Sequence, residues 1–154
     1  MSIGSVLTVG DVIVKDTKLV APQSQPDKQE SHYCVVVSDK FVFILGKNVE
    51  YYKRYERYLI VLYQRDYPWL DQDRYIDCCK LTNYTLFDVR SETGNRLNLN
   101  DIKRLYCGLA RIKDLTPEEM VAQRIEMSKL HVRTILDEIN DWALDNYSKP
   151  VTEL

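Results

Sequence analysis

The chain has 154 residues, of which 45% are hydrophobic, so it can bury a sizeable core and is expected to form one domain. Its 21 lysines and arginines against 23 aspartates and glutamates give a formal net charge of −2. This balance excludes an overall positive field that would draw the protein onto nucleic acid. Any site for RNA or DNA must therefore be a local patch.

Four cysteines, Cys34, Cys78, Cys79 and Cys107, lack Cys-x-x-Cys spacing, and three of them lie in apolar runs. We expect reduced core residues, because free cysteine packs as a small hydrophobic side chain. The two histidines of the chain complete no zinc set, and we predict no metal and no cofactor. The amino terminus does not resemble a signal peptide, and no run approaches the ~20 apolar residues of a membrane span. A cytoplasmic protein without membrane contact is expected.

The first half of the chain carries the strand signals. Gly10 and Asp11 mark a turn before a β-branched run at residues 12–14. Residues 21–31, APQSQPDKQES, have two prolines and no periodicity, which is typical of a surface loop or a disordered connector. Residues 32–38, HYCVVVS, form the strongest strand signal, typical of a strand buried on both faces, and residues 41–45 follow as its hairpin partner.

Residues 46–58, GKNVEYYKRYERY, interleave basic side chains with tyrosines and form the one candidate patch for nucleic acid. Cations neutralise phosphates, and aromatic rings offer faces on which unstacked bases rest. An edge strand or an amphipathic turn is the alternative interpretation of the same pattern. The predicted RNA-binding residues are Lys47, Lys53, Arg54, Arg57, Tyr51 and Tyr55.

Residues 58–81, YLIVLYQRDYPWLDQDRYIDCCKL, read as strand, corner and strand, because apolar runs flank a proline that cannot donate to a sheet ladder. Asp66 and Asp77 resemble paired carboxylates, but the surrounding apolar residues favour a structural role as acceptors of backbone hydrogen bonds. The predicted core residues of this half are Val35, Val37, Ile60, Leu62, Trp69, Ile76 and Cys78.

Two helices are predicted after a short strand at residues 86–89 and a turn at residues 94–95. Asn98 or Asn100 can cap the first helix, whose apolar positions recur at helical spacing through residue 112. The second begins with a capping box, in which Thr116 is the N-cap, Pro117 follows at the first helical position, and Glu119 lies three residues after the cap. It is expected to run to about residue 147.

The second helix carries a heptad-like seam with one polar step at Ser128. About thirty helical residues would span roughly 45 Å, which exceeds the width of a small barrel. Either the helix projects and docks a partner or a second copy through its seam, or it breaks near residues 128–130 and packs back as ordinary core. The predicted partner-binding residues are Val132, Ile135, Ile139 and Trp142.

The order of strand, acidic residue, Tyr-Pro-Trp-Leu, polar residues and Tyr-Ile-Asp-Cys in residues 58–81 resembles a block in the PemK/MazF-like group of plasmid-maintenance toxins. Gly-Asp before the first strand and Leu-Thr before the last helix are similar too, so the resemblance covers roughly residues 10–119. It implies an α+β protein with a small bent antiparallel SH3-like β-barrel in residues 1–98. A C-terminal helical region in residues 99–154 would pack on the barrel or project from it.

The resemblance also implies a function. It suggests a metal-independent endoribonuclease of a toxin–antitoxin or phage-defence module, acting on RNA as a dimer, with an antitoxin or other protein partner. The group carries an arginine just before its central strand, where this chain has Ser31-His32-Tyr33. His32 is the candidate catalytic acid or base, because an imidazole with a pKa near about 6.5 suits that role. The absent arginine favours the alternative of an inactive barrel that serves as a binding or assembly module.

Overall fold

The computed structural model describes residues 7–18, 29–47, 49, 58–125 and 127–154. Its strands are β1 (Asp11–Lys18), β2 (Gln29–Val36), β3 (Phe41–Gly46), β4 (Leu59–Leu62), β5 (Arg74–Asp77), β6 (Thr82–Asn83) and β7 (Val89–Arg96). Its helices are α1 (Leu99–Lys113), α2 (Pro117–Ala122) and α3 (Lys129–Tyr147), with short 3-10 turns at Leu86–Asp88 and Val151–Glu153. The protein is therefore α+β, as the sequence predicts.

All strand pairs are antiparallel, and the seven strands follow the order β4-β5-β3-β2-β1-β7, with β6 also beside β3. Strand β3 holds the sheet together, because it carries β2 along one edge and both β5 and β6 along the other. Strands β4 and β7 form the two edges, so the sheet is open across the part of the chain that the structure describes. The predicted closed SH3-like barrel is not seen there.

Two local predictions near β7 are wrong. Residues 86–88 form a 3-10 turn rather than a strand, since the Asp88 carboxylate accepts the Thr85 amide at 2.9 Å and closes a tight cap. Gly94, predicted to lie in a chain-reversing turn, lies inside β7 with a φ of 75°. The β1–β7 register shifts there, from Asp11↔Arg96 to Ile13↔Glu92, so the extra residues form a bulge that glycine accommodates without steric cost.

A single large core joins the sheet to the helices. It lies between one face of the sheet and helices α1 and α3, which pack on each other. Six of the predicted core residues are buried there, namely Val35, Val37, Ile60, Leu62, Ile76 and Cys78. Trp69, also predicted to be core, is only partly buried and packs at the edge of this cluster. A smaller cluster of Ile13, Cys34, Val36, Val42 and Tyr84 forms a second core.

The helix starts follow the sequence signals. The Asn98 side chain accepts the Asp101 amide at 2.8 Å and caps α1. At α2, the Thr116 hydroxyl accepts the Glu119 amide at 3.2 Å, and the Glu119 carboxylate accepts the Thr116 amide at 3.1 Å. Both caps are confirmed. They satisfy amide groups that the first turn of a helix leaves without an intrahelical acceptor.

The predicted second helix is interrupted. Helix α2 ends at Ala122, Arg124 adopts a left-handed φ of 55°, and the Ile125 amide donates back to the Met120 carbonyl at 3.0 Å. The Ser128 hydroxyl then accepts the His131 amide at 3.1 Å and begins α3. A left-handed residue followed by a new N-cap ends one helix and reorients the next.

This interruption corrects the expectation of a docking seam. Val132, Ile135 and Ile139 are 0% exposed and Trp142 is 8% exposed, because α3 folds back, packs against α1 and places the stripe in the large core. These four residues are core, which is the second of the two alternatives given above. Across the described ranges, no helix has both the length and the apolarity to cross a membrane.

Candidate functional site

The sequence-predicted site residues fall into three groups. Lys47 is exposed immediately after β3, and His32 is half-buried in β2. The remaining RNA-binding candidates, Lys53, Arg54, Arg57, Tyr51 and Tyr55, lie outside the described residues. Val132, Ile135, Ile139 and Trp142 are core, as shown above.

His32 and Tyr33 are neighbours in β2 and therefore face opposite sides of the sheet. Tyr33 packs against the large core, whereas His32 shares its face with Cys34 of the small core and pairs with Lys15 of β1. Lys15 is itself buried, at 6% exposure. Any site built around Tyr33 is consequently separated from the imidazole of His32 by the strand.

The most unusual side chain on the Tyr33 side is Arg74, the first residue of β5. It is 4% exposed, and its guanidinium lies over the Tyr33 ring, 5.5 Å from the ring centre. The Trp69 ring meets Tyr33 edge-on, with 5.6 Å between the ring centres. Arginine stacks readily on aromatic faces, because its planar cation is weakly hydrated. The cluster of Tyr33, Lys47, Trp69, Asp71 and Arg74 is called the Arg74 site below.

Two cations act on one exposed carboxylate in the Arg74 site. The Nη2 atom of Arg74 donates to Asp71 at 2.8 Å, and the Asp71 side chain is 60% exposed. The bond from Arg74 lowers the pKa of Asp71 below its usual value, and the charge of Lys47 lowers this pKa further. The carboxylate therefore stays ionised, and its position is favourable for an anion.

The corner between β4 and β5 positions Trp69 and Asp71. The Tyr67 amide donates to the Tyr63 carbonyl at 3.1 Å, and the Leu70 amide donates to the Tyr67 carbonyl at 2.9 Å. The carboxylate of Asp73 accepts the Gln64 amide at 2.8 Å and ties the two ends of the corner together. These local bonds hold the aromatic ring and the carboxylate in a fixed loop beside Arg74.

A buried polar network fastens this corner to α1. The Tyr67 hydroxyl donates to the Asp101 carboxylate and accepts the Asn98 amide at 3.1 Å. Arg104 donates to the second oxygen of Asp101 at 2.8 Å and so supplies its counter-charge. Burial and the bond to Asp101 both raise the pKa of Tyr67 above its usual value. The network orients the corner. Because its pKa is raised, the Tyr67 hydroxyl stays protonated at neutral pH.

The two predicted carboxylates do not form a catalytic pair. Asp77 accepts the Cys79 amide at 2.9 Å, which confirms its structural role, and Asp66 is exposed with its carboxylate 4.0 Å from Arg65. Cysteine chemistry is also disfavoured at the buried thiols, since burial raises the pKa of both Cys34 and Cys79 to about 12.

A concavity of about 290 Å³ lies away from the Arg74 site, at the far end of α3 and next to the turn between β2 and β3. Its lining includes Asp39, Glu138, Asp141 and Asp145. Burial, together with the negative charges of Asp39 and Asp141, raises the pKa of Glu138. Such a lining repels phosphate, so this cavity is unsuited to RNA.

Sequence reasoning missed Arg74, although a signal was present. Arg74 alternates with Ile76 and Cys78, both predicted to be core, so a period of two already places its side chain on the buried face. A charged residue at such a position needs partners, and those partners are candidates for function. Its contact with Tyr33 of β2 depends on strand order, which the sequence pattern did not specify.

The described residues contain no group of three His, Cys, Asp or Glu side chains that could hold a metal ion. A scan against models of protein families finds no match to this chain. A search among curated proteins likewise returns no match.

Proposed function

We propose that this chain is a PemK/MazF-like protein that binds single-stranded RNA at the Arg74 site. In this proposal the open, bent sheet corresponds to the SH3-like barrel of that group. The observation that carries the proposal is the stacking of Arg74 on Tyr33, beside the partly exposed Trp69 and the exposed Lys47. Single-stranded RNA is bound by aromatic faces that stack bases and by cations that neutralise phosphates.

The position of Lys47 connects this site to the predicted patch. Lys47 opens the segment that contains Lys53, Arg54 and Arg57, and its charge acts on Asp71 of the Arg74 site. Lys47 is thus a cation that the Arg74 site and the predicted patch have in common. The net charge of −2 then poses no obstacle, because the attraction is local.

Binding without cleavage is the form of the proposal that the geometry favours. Metal-independent cleavage needs an acid or base and a cation close to the same phosphate. His32 faces away from Tyr33 across β2, so it does not share a surface with Arg74. The endoribonuclease implied by the resemblance is the second candidate, supported by the block at residues 58–81. A dimer and an antitoxin or other protein partner are also implied by the resemblance.

RNA binding is tested by fluorescence anisotropy with a labelled single strand of about 12 nucleotides, a length within the usual site sizes for such proteins. We expect binding at low salt that weakens as salt rises. Lys47→Ala should weaken binding and reduce the slope of log K against log salt by about 0.7, the value for one phosphate contact on a single strand. Lys149→Ala removes the same charge from an exposed residue near the C-terminal end and is the matched control.

The absence of RNA affinity in the parent at low salt would overturn the proposed function. Cleavage is examined separately by incubating mixed RNA with the purified protein, with and without a chelator. Products that form in chelator and disappear in His32→Ala would support the endoribonuclease over the binding module. Intact RNA alongside clear binding would support the binding module.

A further inference from the structure

Arg74 is a buried cation whose hydrogen bonding is incomplete. Its Nη2 atom makes a short bond to Asp71 at 2.8 Å, whereas its Nη1 atom reaches the Leu45 carbonyl only at 3.4 Å. The Nε atom is buried and donates to no acceptor among the residues that the structure describes. Buried guanidinium groups usually satisfy their donors, because an unpaired donor costs desolvation energy. The energetic cost of burying this cation therefore calls for an explanation beyond packing.

The main counter-charge of Arg74 comes from a side chain that solvent can reach. Asp71 is 60% exposed while the Arg74 side chain is 5% exposed, and the two residues are three apart in the chain. A rotation of the Asp71 side chain would release the guanidinium edge without disturbing β5, because Asp71 precedes the strand. Lys47 would then also lose a nearby carboxylate.

Carboxylate and phosphate oxygens accept hydrogen bonds from the same N–H donors of arginine, with similar geometry. We propose that Asp71 occupies the position of a ligand phosphate in the Arg74 site, and that a phosphodiester of RNA displaces it on binding. Arg74 is then the phosphate-contacting residue, Lys47 the second cation, and Tyr33 and Trp69 the flanking rings. This inference rests on the proposed RNA-binding function and adds to it a named subsite with a built-in competitor.

An internal competitor weakens binding by the free energy needed to displace it. Solvent screens the pairing of Arg74 with Asp71, because the Asp71 side chain is 60% exposed, so the competition is modest. Asp71→Asn removes the charge that holds Arg74 while keeping the size of the side chain. We expect this variant to bind the RNA strand a few-fold more tightly than the parent.

The salt dependence adds a second measure. The slope of log K against log salt should stay close to that of the parent in Asp71→Asn, because the phosphodiester contacts Arg74 in both complexes. Asp66→Asn is the matched control, since it removes the same charge from the same corner but faces Arg65 instead of Arg74. Equal gains in affinity for Asp66→Asn and Asp71→Asn would reduce the effect to general electrostatics and overturn the inference.

A readout that does not use RNA separates the two proposals. Inorganic phosphate, added during thermal unfolding, should raise the midpoint of Asp71→Asn more than that of the parent or of Asp66→Asn. A nucleoside monophosphate in place of inorganic phosphate shows whether the subsite also takes a free nucleotide. If the parent and Asp71→Asn both fail to bind RNA but phosphate stabilises Asp71→Asn, the subsite stands and the proposed RNA-binding function fails.

The opposite failure is equally distinct. Suppose that the parent binds RNA, that Asp71→Asn binds it no more tightly, and that phosphate raises the unfolding midpoints of both proteins by the same amount. The RNA-binding function then stands, and the role of Asp71 is overturned. A final control places Asp71→Asn in an Arg74→Gln background, with folding checked by circular dichroism. The gain from Asp71→Asn should disappear there, because the group that it frees is gone. If Arg74→Gln does not fold, the Asp71→Asn and Asp66→Asn comparison decides alone.

Discussion

Removal of one oxygen, in Tyr67→Phe, tests whether the corner between β4 and β5 is locked to α1. The Tyr67 side chain is 4% exposed, so the phenylalanine ring should occupy the same space. The hydroxyl both donates to Asp101 and accepts the Asn98 amide at 3.1 Å. The substitution therefore leaves the buried Asp101 carboxylate and the part-buried Asn98 amide with one partner fewer each.

The expected loss follows from those two bonds. A hydrogen bond to a charged group contributes about 1.5–3 kcal/mol, and an unsatisfied buried amide costs about 1–3 kcal/mol. Asp101 keeps its bond from Arg104 at 2.8 Å, which places the total toward the lower end of the sum. We expect Tyr67→Phe to lower the free energy of unfolding by about 2–4 kcal/mol.

Urea unfolding of the parent and Tyr67→Phe, at neutral pH and at several alkaline values, provides the measurement. The folded state raises the pKa of Tyr67, so above about pH 10 the unfolded chain loses this proton while the native chain keeps it. The stabilisation that this bond contributes is thus complete below about pH 10 and falls as the pH rises further. Tyr67→Phe should lose less stability than the parent over that alkaline range.

Equal stability of Tyr67→Phe and the parent at neutral pH would refute the reasoning, because it would mean that the hydroxyl is not a buried partner of Asp101. Tyr147→Phe is a suitable control, as that tyrosine is 44% exposed and its hydroxyl is not part of this network. A loss in Tyr147→Phe as large as that in Tyr67→Phe would also contradict the argument.

Three further predictions concern the core and the cysteines. Ile135→Ala should lower the free energy of unfolding by about 2–5 kcal/mol in urea unfolding, since this side chain is 0% exposed in the large core, and an unchanged curve would place it on a surface. In the native protein, Cys107 should react with a thiol reagent because it is exposed, whereas Cys34 and Cys79 should stay protected because they are buried. Rapid reaction of more than one thiol would contradict this prediction. Stability should fall as the pH rises above about 9, since burial raises the pKa of Cys34 and of Cys79 to about 12 while the unfolded thiols ionise near about 8.5. Unfolding curves that coincide between pH 8 and 10, within about two units of the unfolded pKa, would contradict this reasoning.

The features that the sequence determined are local. The caps at Asn98 and Thr116 join atoms three residues apart, so the residues concerned are visible in the sequence itself. Strands β4 and β5 likewise lie on either side of one corner in the chain, and each contains an apolar run that indicates a strand. The α+β class follows from the change of hydrophobic period between the two halves.

The closure of the sheet and the identity of the site were decided by tertiary structure. The apolar spacing around Val132 and Ile139 suits a seam with a partner and a stripe on the chain's own sheet equally well, because periodicity specifies a face but not what covers it. The bond between Tyr67 and Asp101 spans 34 positions in the chain, and the contact of Arg74 with Tyr33 crosses between strands. Such contacts depend on strand order, which is set by the packing of the whole core and not by any short stretch of residues.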